Sequence, residues 1–377
     1  MRNTAASGVL VAGLLAAFAC TDSPTGVTLR LDDTPLFSEA AGAQRVGVMT
    51  QNLYVGTDVD AVLAALISPD PTDDVPALFA AIETLGKTDF PTRAGAIADE
   101  IARERPHVVG FQEVSDIHVD LTGFGVPLVI NLEFLPILEA QLAARGLHYT
   151  VAATIKNIDV TPVPGIQLVD YDAILVNTDL ATVDFTYAQN FTANLGVIAP
   201  GVELKRGFVY VRATIDGVQH AFVSTHLEPD IAGIDLSGLR AAQAYEIVAL
   251  LDGSTPALVL GDLNDPPGTP MYQVLQQAGF RDVWQDLRPG VDGFTTGEGY
   301  TDQHRADLSN PLNGFTQRID YIWARGTGHP IAGVQGRIVR FGAEPSDKVD
   351  GPYFKIWPSD HAGLVAELLS PVAAGLR

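Results

Sequence analysis

Short apolar runs of strand length alternate along this chain with segments of helical period, and almost every run ends at a residue that can do chemistry. Ala257-Leu258-Val259-Leu260 leads into Gly261-Asp262-Leu263-Asn264, and Val108-Val109-Gly110-Phe111 into Gln112-Glu113. His220 to Thr225 is followed by His226, and the run from Val46 to Tyr54 contains Asn52. Asp320 lies in Ile319-Asp320-Tyr321-Ile322-Trp323, and Ser359-Asp360-His361 precedes Ala362 to Leu368. Ala173 to Val176 and Phe208 to Thr214 are further strand candidates. Continuous apolar strands are covered on both faces, so the helical segments must supply the cover. In Arg93 to Arg105 the apolar Ala94, Ile97, Ala98 and Ile101 fall at i, i+3, i+4 and i+7, and Pro106 stops the helix. Ile130 to Arg145 reads as a second helix, and Ala241, Ala244, Tyr245, Val248 and Leu251 mark a third. The chain is therefore an α/β protein with many strands. Polar groups at the ends of such strands converge on one rim, where a rigid scaffold presents them to a ligand.

Apolar residues make up 47% of the sequence, enough for a sizeable core, which excludes a disordered chain. The formal net charge of −22 weighs against avid, non-specific nucleic-acid binding, which needs a basic surface. It does not exclude a nuclease, because a metal ion supplies positive charge locally. No repeat or second linker divides the chain after residue 44, so one domain is expected over 44–370, with a tail at 371–377.

The first 19 residues read as a signal peptide. Arg2 gives a minimal basic start, Gly8 to Ala19 is uncharged, and Ala17-Phe18-Ala19 has the small-x-small form of a cleavage site. Cys20, the only cysteine, follows directly. It resembles the lipidated cysteine of bacterial lipoproteins, although Ala17 stands where those signals usually carry Leu. Residues 20–43 are then a flexible tether, possible lipidation at Cys20 would anchor the chain to a membrane, and ordinary secretion is the alternative. In either case the chain is expected to be exported, and it can form no internal disulfide.

The donor inventory at the strand ends is mainly hard oxygen with two imidazoles and no thiolate. That suits Mg²⁺, Mn²⁺ or Ca²⁺ better than structural zinc. Thr50-Gln51-Asn52-Leu53-Tyr54, Phe111-Gln112-Glu113-Val114, Ser224-Thr225-His226-Leu227, Gly261-Asp262-Leu263-Asn264, Arg318-Ile319-Asp320-Tyr321-Ile322 and Ser359-Asp360-His361 occur in that order. Together they resemble the endonuclease/exonuclease/phosphatase superfamily, the deoxyribonuclease-like metallo-phosphoesterases. The resemblance implies a four-layer sandwich of two packed mixed β-sheets flanked by helices, with the active site at one end. It also implies roles. Glu113 would be the main carboxylate on Mg²⁺, with Asn52 and Asp360 assisting. Asp262 and Asn264 would orient the nucleophile, and Asp320 would fix His361, which acts as base or as a cationic clamp on the phosphate. His226 would protonate or stabilise the leaving oxygen.

Less direct positions follow. Asp172 is expected to orient His226. Arg93 and Arg206 could bind phosphate or form plain salt bridges, and Arg240 with Gln243 could brace the site or face solvent. The run Tyr353-Phe354-Lys355-Ile356-Trp357 is either a membrane-facing aromatic segment or a buried strand. The expected partner is a phosphate-ester substrate: nucleic acid, a phospholipid headgroup or a small phosphodiester. No protein partner is indicated. The competing reading is a non-catalytic surface binding protein that keeps the scaffold, but such a relic would be expected to have lost at least one of Glu113, His226, Asp262, Asn264, Asp320 and His361.

Overall fold

In the computed structural model, residues 44–70, 72–199, 202–231, 233–254, 256–297, 306–327 and 334–370 are described. The segments expected to be a signal peptide, a tether with Cys20 and a tail at 371–377 lie outside them.

Two sheets stack face to face. The first runs, in spatial order, Gly336–Phe341, Gly363–Ser370, Gln44–Asn52, Val108–Asp120, Ile166–Asn177, Tyr149–Val163, Val202–Leu204 and Gly196–Ala199, with Val129–Glu133 beside Val108–Asp120. The second runs Arg281–Asp282, Asp320–Arg325, Ala257–Asp262, Val218–His226, Gly207–Ile215 and Thr182–Asn190. Each holds one parallel pair among antiparallel ones: Gln44–Asn52 with Val108–Asp120, and Val218–His226 with Ala257–Asp262.

The period of two along each strand builds the layers. Val46, Val48, Val108 and Ile174 of the first sheet meet Phe222, Leu258 and Ile322 of the second in an apolar core between the sheets. Their neighbours Met49, Val109, Phe111 and Leu175 point the other way, onto the helices Phe90–Glu104 and Phe134–Ala144 through Ile97, Ile101, Phe134 and Leu138. On the far side Val223, Val259, Tyr321 and Trp323 pack beneath Ser237–Leu250 and Pro270–Gln277 through Ala244, Ile247, Met271 and Leu275. The result is the helix–sheet–sheet–helix sandwich that the resemblance implied.

One helix is shorter than its periodicity predicts. Val129–Glu133 is a strand, with Ile130 opposite Val119, and the helix starts only at Phe134. The β-branched Val129 and Ile130 favour the pleat, and Pro136 sits in the first helical turn, where its missing N–H costs nothing. The helices Val59–Ile67 and Asp74–Thr88 were not anticipated from sequence. The aromatic run divides: Ile356 and Trp357 are buried, whereas Tyr353 is exposed.

Two neighbouring strands of the second sheet come very close at Gly261, the register partner of Thr225. Its φ is +154°, and a Cβ there would lie 2.0 Å from the Thr225 carbonyl oxygen. That neighbour is strand backbone and cannot step aside. Gly261→Ala is expected to cost about 3–5 kcal/mol, the range of severe single substitutions, measured by urea unfolding.

Away from the strand ends, Glu100 is a buried carboxyl paired with the half-exposed Arg103. Burial pushes Glu100 up to about 7, against the pull of Arg103. Between about 4.5, the ordinary carboxyl value, and about 7 the folded chain keeps a proton that the unfolded chain releases. Stability therefore falls as pH rises through that window and levels off above it. Glu100→Gln should be more stable than the parent at pH 8 by on the order of 1–3 kcal/mol, with the gap closing below pH 4.5. Paired denaturation curves at the two pH values measure it, and an equal gap at both would refute it.

Candidate active site

Strand register brings the polar residues together. His226 lies opposite Asp262 in the parallel pair, and Asp262 lies opposite Asp320 in the antiparallel one. Three residues far apart in sequence thus stand side by side at one end of the second sheet. In the first sheet Asn52 ends its strand opposite Gln112. Glu113 follows at a bulge, where pairing with Ile166–Asn177 shifts between Phe111 and Val114, and its φ is +54°. The bulge re-aims its side chain, as bulges beside active sites do. Tyr54 at φ +58° and Asn264 at φ +50° are held in the same costly region.

The hydrogen bonds join both sheets into one site. Asn52 Nδ2 donates to Glu113 Oε1 at 2.8 Å and to Asp262 Oδ2 at 3.2 Å. The Tyr54 amide donates to Asn52 Oδ1 at 2.8 Å, which sets the orientation of the Asn52 amide. The Val55 amide donates to Glu113 Oε2 at 2.8 Å. Ser359 Oγ donates to the Asn52 carbonyl at 2.7 Å and accepts from the His361 amide at 3.1 Å, seating the Asp360–His361 segment against the strand end. His361 Nδ1 is 2.9 Å from Asp320 Oδ2 and 3.6 Å from Asp262 Oδ2. The same Asp262 oxygen lies 3.6 Å from His226 Nε2. The Asn264 amide donates to Asp262 Oδ1 at 2.9 Å, and Asn264 Nδ2 donates to the Leu227 carbonyl at 2.9 Å. Asn52, His226, Asp262, Asp320 and His361 are buried, while Glu113, Asn264 and Asp360 are half-buried.

The two imidazoles are tuned in opposite senses. Burial works against charge on His361, but Asp320, Asp360 and Asp262 outweigh it and hold the ring cationic, well above the usual histidine range. Burial, the Arg206 guanidinium and the His361 cation push His226 well below that range, so it is neutral. Burial raises Asp262 to about 7, with the Asp320 charge adding and His361 opposing. Burial and the Asp360 charge raise Glu113.

This crowding of carboxylates bears on a metal. Glu113, Asp262, Asp320 and Asp360 share the site, and the protein alone leaves Glu113 and Asp262 reluctant to ionise. A hard divalent cation would relieve that strain, and the donors are mostly carboxylate oxygen, as Mg²⁺ prefers. Asp262, Asp320 and His361 also each offer a donor atom within 4.8 Å of the others, a grouping able to hold a divalent ion. The residues present fit such an ion.

The outlying candidates take unexpected places. Arg93 is fully buried, and its hydrogen bonds go to backbone rather than to a carboxylate. It donates to the backbone carbonyls of Thr88, Leu53, Tyr54 and Pro358, tying the strand end to the segment before Ser359. Asp172 does not orient the His226 ring. Its carboxyl is buried and raised well above its ordinary value by burial and by Asp170, while Arg206 Nη1 occupies His226 Nδ1 at 3.1 Å. Arg240 and Gln243 are buried rather than solvated. Arg240 Nη1 donates to the Glu228 carbonyl at 3.1 Å and Arg240 Nη2 reaches Asp265 at 3.3 Å, while Gln243 Oε1 accepts from the Glu228 amide at 3.2 Å. They brace the loops that carry His226 and Asn264. Sequence reasoning missed Thr295, whose Oγ1 accepts from the Asp320 amide at 3.2 Å, and Ser359 Oγ as a support. Thr295 has no local signal, since it acts across 25 residues, whereas Ser359 supports His361 from two residues away within the Ser359-Asp360-His361 motif.

Comparison with known proteins gives the same scaffold. A structure of an endonuclease/exonuclease/phosphatase family protein from Bacteroides thetaiotaomicron superposes with a TM-score of 0.56 at 16% identity, covering 88% of this chain and 99% of that one. A functionally unknown conserved protein from Enterococcus faecalis V583 gives 0.53 at 17% identity over 86% of this chain and 100% of that one. The CCR4-Not complex 3'-5'-exoribonuclease subunit Ccr4 of Coccidioides immitis is 30% identical over 122 residues. That match covers 30% of this chain and only 16% of the relative. The model of the Endonuclease/Exonuclease/phosphatase family matches residues 49–361, from the first strand to His361, and the chain belongs to that family.

Proposed function

We propose that this chain is an exported, Mg²⁺-dependent phosphodiesterase that cleaves its substrate by in-line attack of water. The observation that carries the reading is the shared Asp262 oxygen. It stands 3.6 Å from each of two imidazoles and 3.2 Å from the amide that binds Glu113. A phosphodiester needs positive charge aimed at its non-bridging oxygens, a base for water and a donor for the leaving oxygen, and these groups supply all three.

Glu113, assisted by Asn52 and Asp360, would hold the ion, which supplies Lewis-acid charge to the phosphoryl oxygen when bound. The His361 cation, positioned by Asp320, clamps a non-bridging oxygen. Because its Nδ1 is already engaged by Asp320, we assign this pair to charge stabilisation rather than to the metal. Asp262, raised to about 7, can accept a proton from the attacking water near neutral pH, and Asn264 holds its other oxygen in place. His226 faces the leaving oxygen. The signal-like start, with Cys20 as a lipid acceptor, supports export to a membrane surface.

The nuclease name of the Ccr4 relative favours nucleic acid as a substrate, and the net charge of −22 favours shorter phosphodiesters or lipid headgroups. Hydrolysis of bis(p-nitrophenyl) phosphate with Mg²⁺, Mn²⁺ or Ca²⁺, against EDTA, tests the reaction class. Metal-dependent turnover is expected, followed by competition between DNA, RNA, sphingomyelin and inositol phosphates. Absence of turnover on all of them would overturn the reading.

A further inference from the structure

We infer that Arg206 holds His226 as the neutral Nε2–H tautomer, so that His226 acts on the leaving oxygen as a hydrogen-bond donor and transfers no proton. The inference deepens the phosphodiesterase reading and rests on it.

The argument is one of donors and acceptors. A guanidinium has only N–H groups and never accepts. Arg206 Nη1 lies 3.1 Å from His226 Nδ1, so that nitrogen must offer its lone pair. A proton on Nδ1, in the other tautomer or in the imidazolium, would set N–H against N–H inside a buried site. The single ring proton is therefore on Nε2. That atom faces Asp262 Oδ2 at 3.6 Å, toward the end of the sheets where Asn52, Asp262 and His361 converge.

Arg206 is not free to turn away. Its amide donates to Asn194 Oδ1 at 2.6 Å, and its carbonyl accepts from the Phe191 amide at 2.8 Å. Its Nε is 3.4 Å from Glu228 Oε1, and the Asp170 and Asp172 carboxyls also face the guanidinium. Glu228 is in turn held through its backbone by Arg240 and Gln243. The guanidinium is thus anchored from the side away from the ring. Around His226 the charged and titratable groups are Arg206, Asp262 and His361, with Asp172 and Glu228 behind them.

The chemistry follows. A neutral imidazole that has already given Nδ1 to an arginine holds its last proton too tightly to release it near neutral pH. When the bond from phosphorus to the leaving oxygen breaks, the electron pair stays on that oxygen. His226 Nε2–H stabilises the charge by hydrogen bonding, and the proton that finally neutralises the oxygen comes from water. Arg206 is thus a positioning residue that sets the character of the ring beside it.

The test is histidine-selective ¹⁵N NMR on the full chain at pH 7, with the His226 signals identified by their loss in His226→Gln. A pyrrole-type Nε2 and a pyridine-type Nδ1 are expected. A proton on Nδ1, alone or with one on Nε2, would overturn the proposal without any variant or any activity. In Arg206→Met the ring should lose this single tautomer. In the same variant kcat should fall about 10–100-fold, as when the partner orienting a ligand-bearing histidine is lost, with KM within about twofold. Arg206→Lys, which keeps a donor, should recover part of kcat and carries the kinetic arm if the methionine variant does not fold. A raised KM with kcat intact would make Arg206 a contact for substrate charge and would likewise refute the proposal. A wild-type protein with the expected tautomer that hydrolyses no phosphodiester would instead count against the proposed function.

Discussion

Asp262→Asn is expected to lower kcat on bis(p-nitrophenyl) phosphate by roughly 10²–10⁴-fold while leaving the unfolding free energy within about 1 kcal/mol of the parent. The activity loss follows from chemistry. The carboxyl is the group in the site whose value, pushed to about 7 by burial, lets it take a proton from water at neutral pH, and an amide cannot. The near-constant stability follows from two opposed effects. Replacing a buried carboxyl that resists ionisation removes an unfavourable charge. The new amide, however, brings an NH₂ group toward either Asn52 Nδ2 or the Asn264 amide, both of which donate to the present carboxylate. One hydrogen bond is lost, worth about 1 kcal/mol. Steady-state kinetics and urea unfolding on the same preparation check both halves. Full retention of kcat would remove Asp262 from the reaction and leave the water without a base among these residues.

Glu113→Gln should abolish the response to metal. Turnover with Mg²⁺ is expected to fall on the order of 10³-fold, the scale of losing charge stabilisation at the transition state. Stability reads the same event independently of activity. In EDTA the variant should melt at or above the parent temperature, because the parent carries the half-buried Glu113 carboxyl beside the Asp360 charge. The amide oxygen keeps one of the two hydrogen bonds now accepted, from Asn52 or from Val55, and the repulsion is lost. Mg²⁺ at 100 times its Kd should then stabilise the parent by about 2.7 kcal/mol and leave the variant unmoved. Equal Mg²⁺ stabilisation of both would place the ion elsewhere, with the Asp262, Asp320 and His361 donors as the next set to examine.

Much of the site was legible because its residues occupy a recognisable local place. Asp262 and His226 end apolar runs, and Asp360-His361 precedes one. A run that must be buried on both faces has to be a strand, so its polar end has to lie at the rim. The order of those ends along the chain carried the family resemblance, and with it the sandwich. Helices were read where the period was clean, as at Ala94, Ile97, Ala98 and Ile101. The reading failed at Val129–Glu133, where pairing with Asp116–Asp120 overrode a helical pattern.

The second layer of the site was not legible. Arg93 looked like a phosphate ligand or an ion-pair partner and is a clamp on four backbone carbonyls. Asp172 was the expected partner of His226, and the ring instead meets Arg206. Local pattern determined which residues are polar, which are apolar and which ends of the strands carry them, because side-chain alternation and helical period act over a few neighbours. Tertiary structure decided which oxygen faces which nitrogen. Asn52 meets Asp262 across 210 residues and His361 meets Asp320 across 41, and only sheet register, a bulge at Glu113 and the stacking of two sheets bring such groups within hydrogen-bond reach.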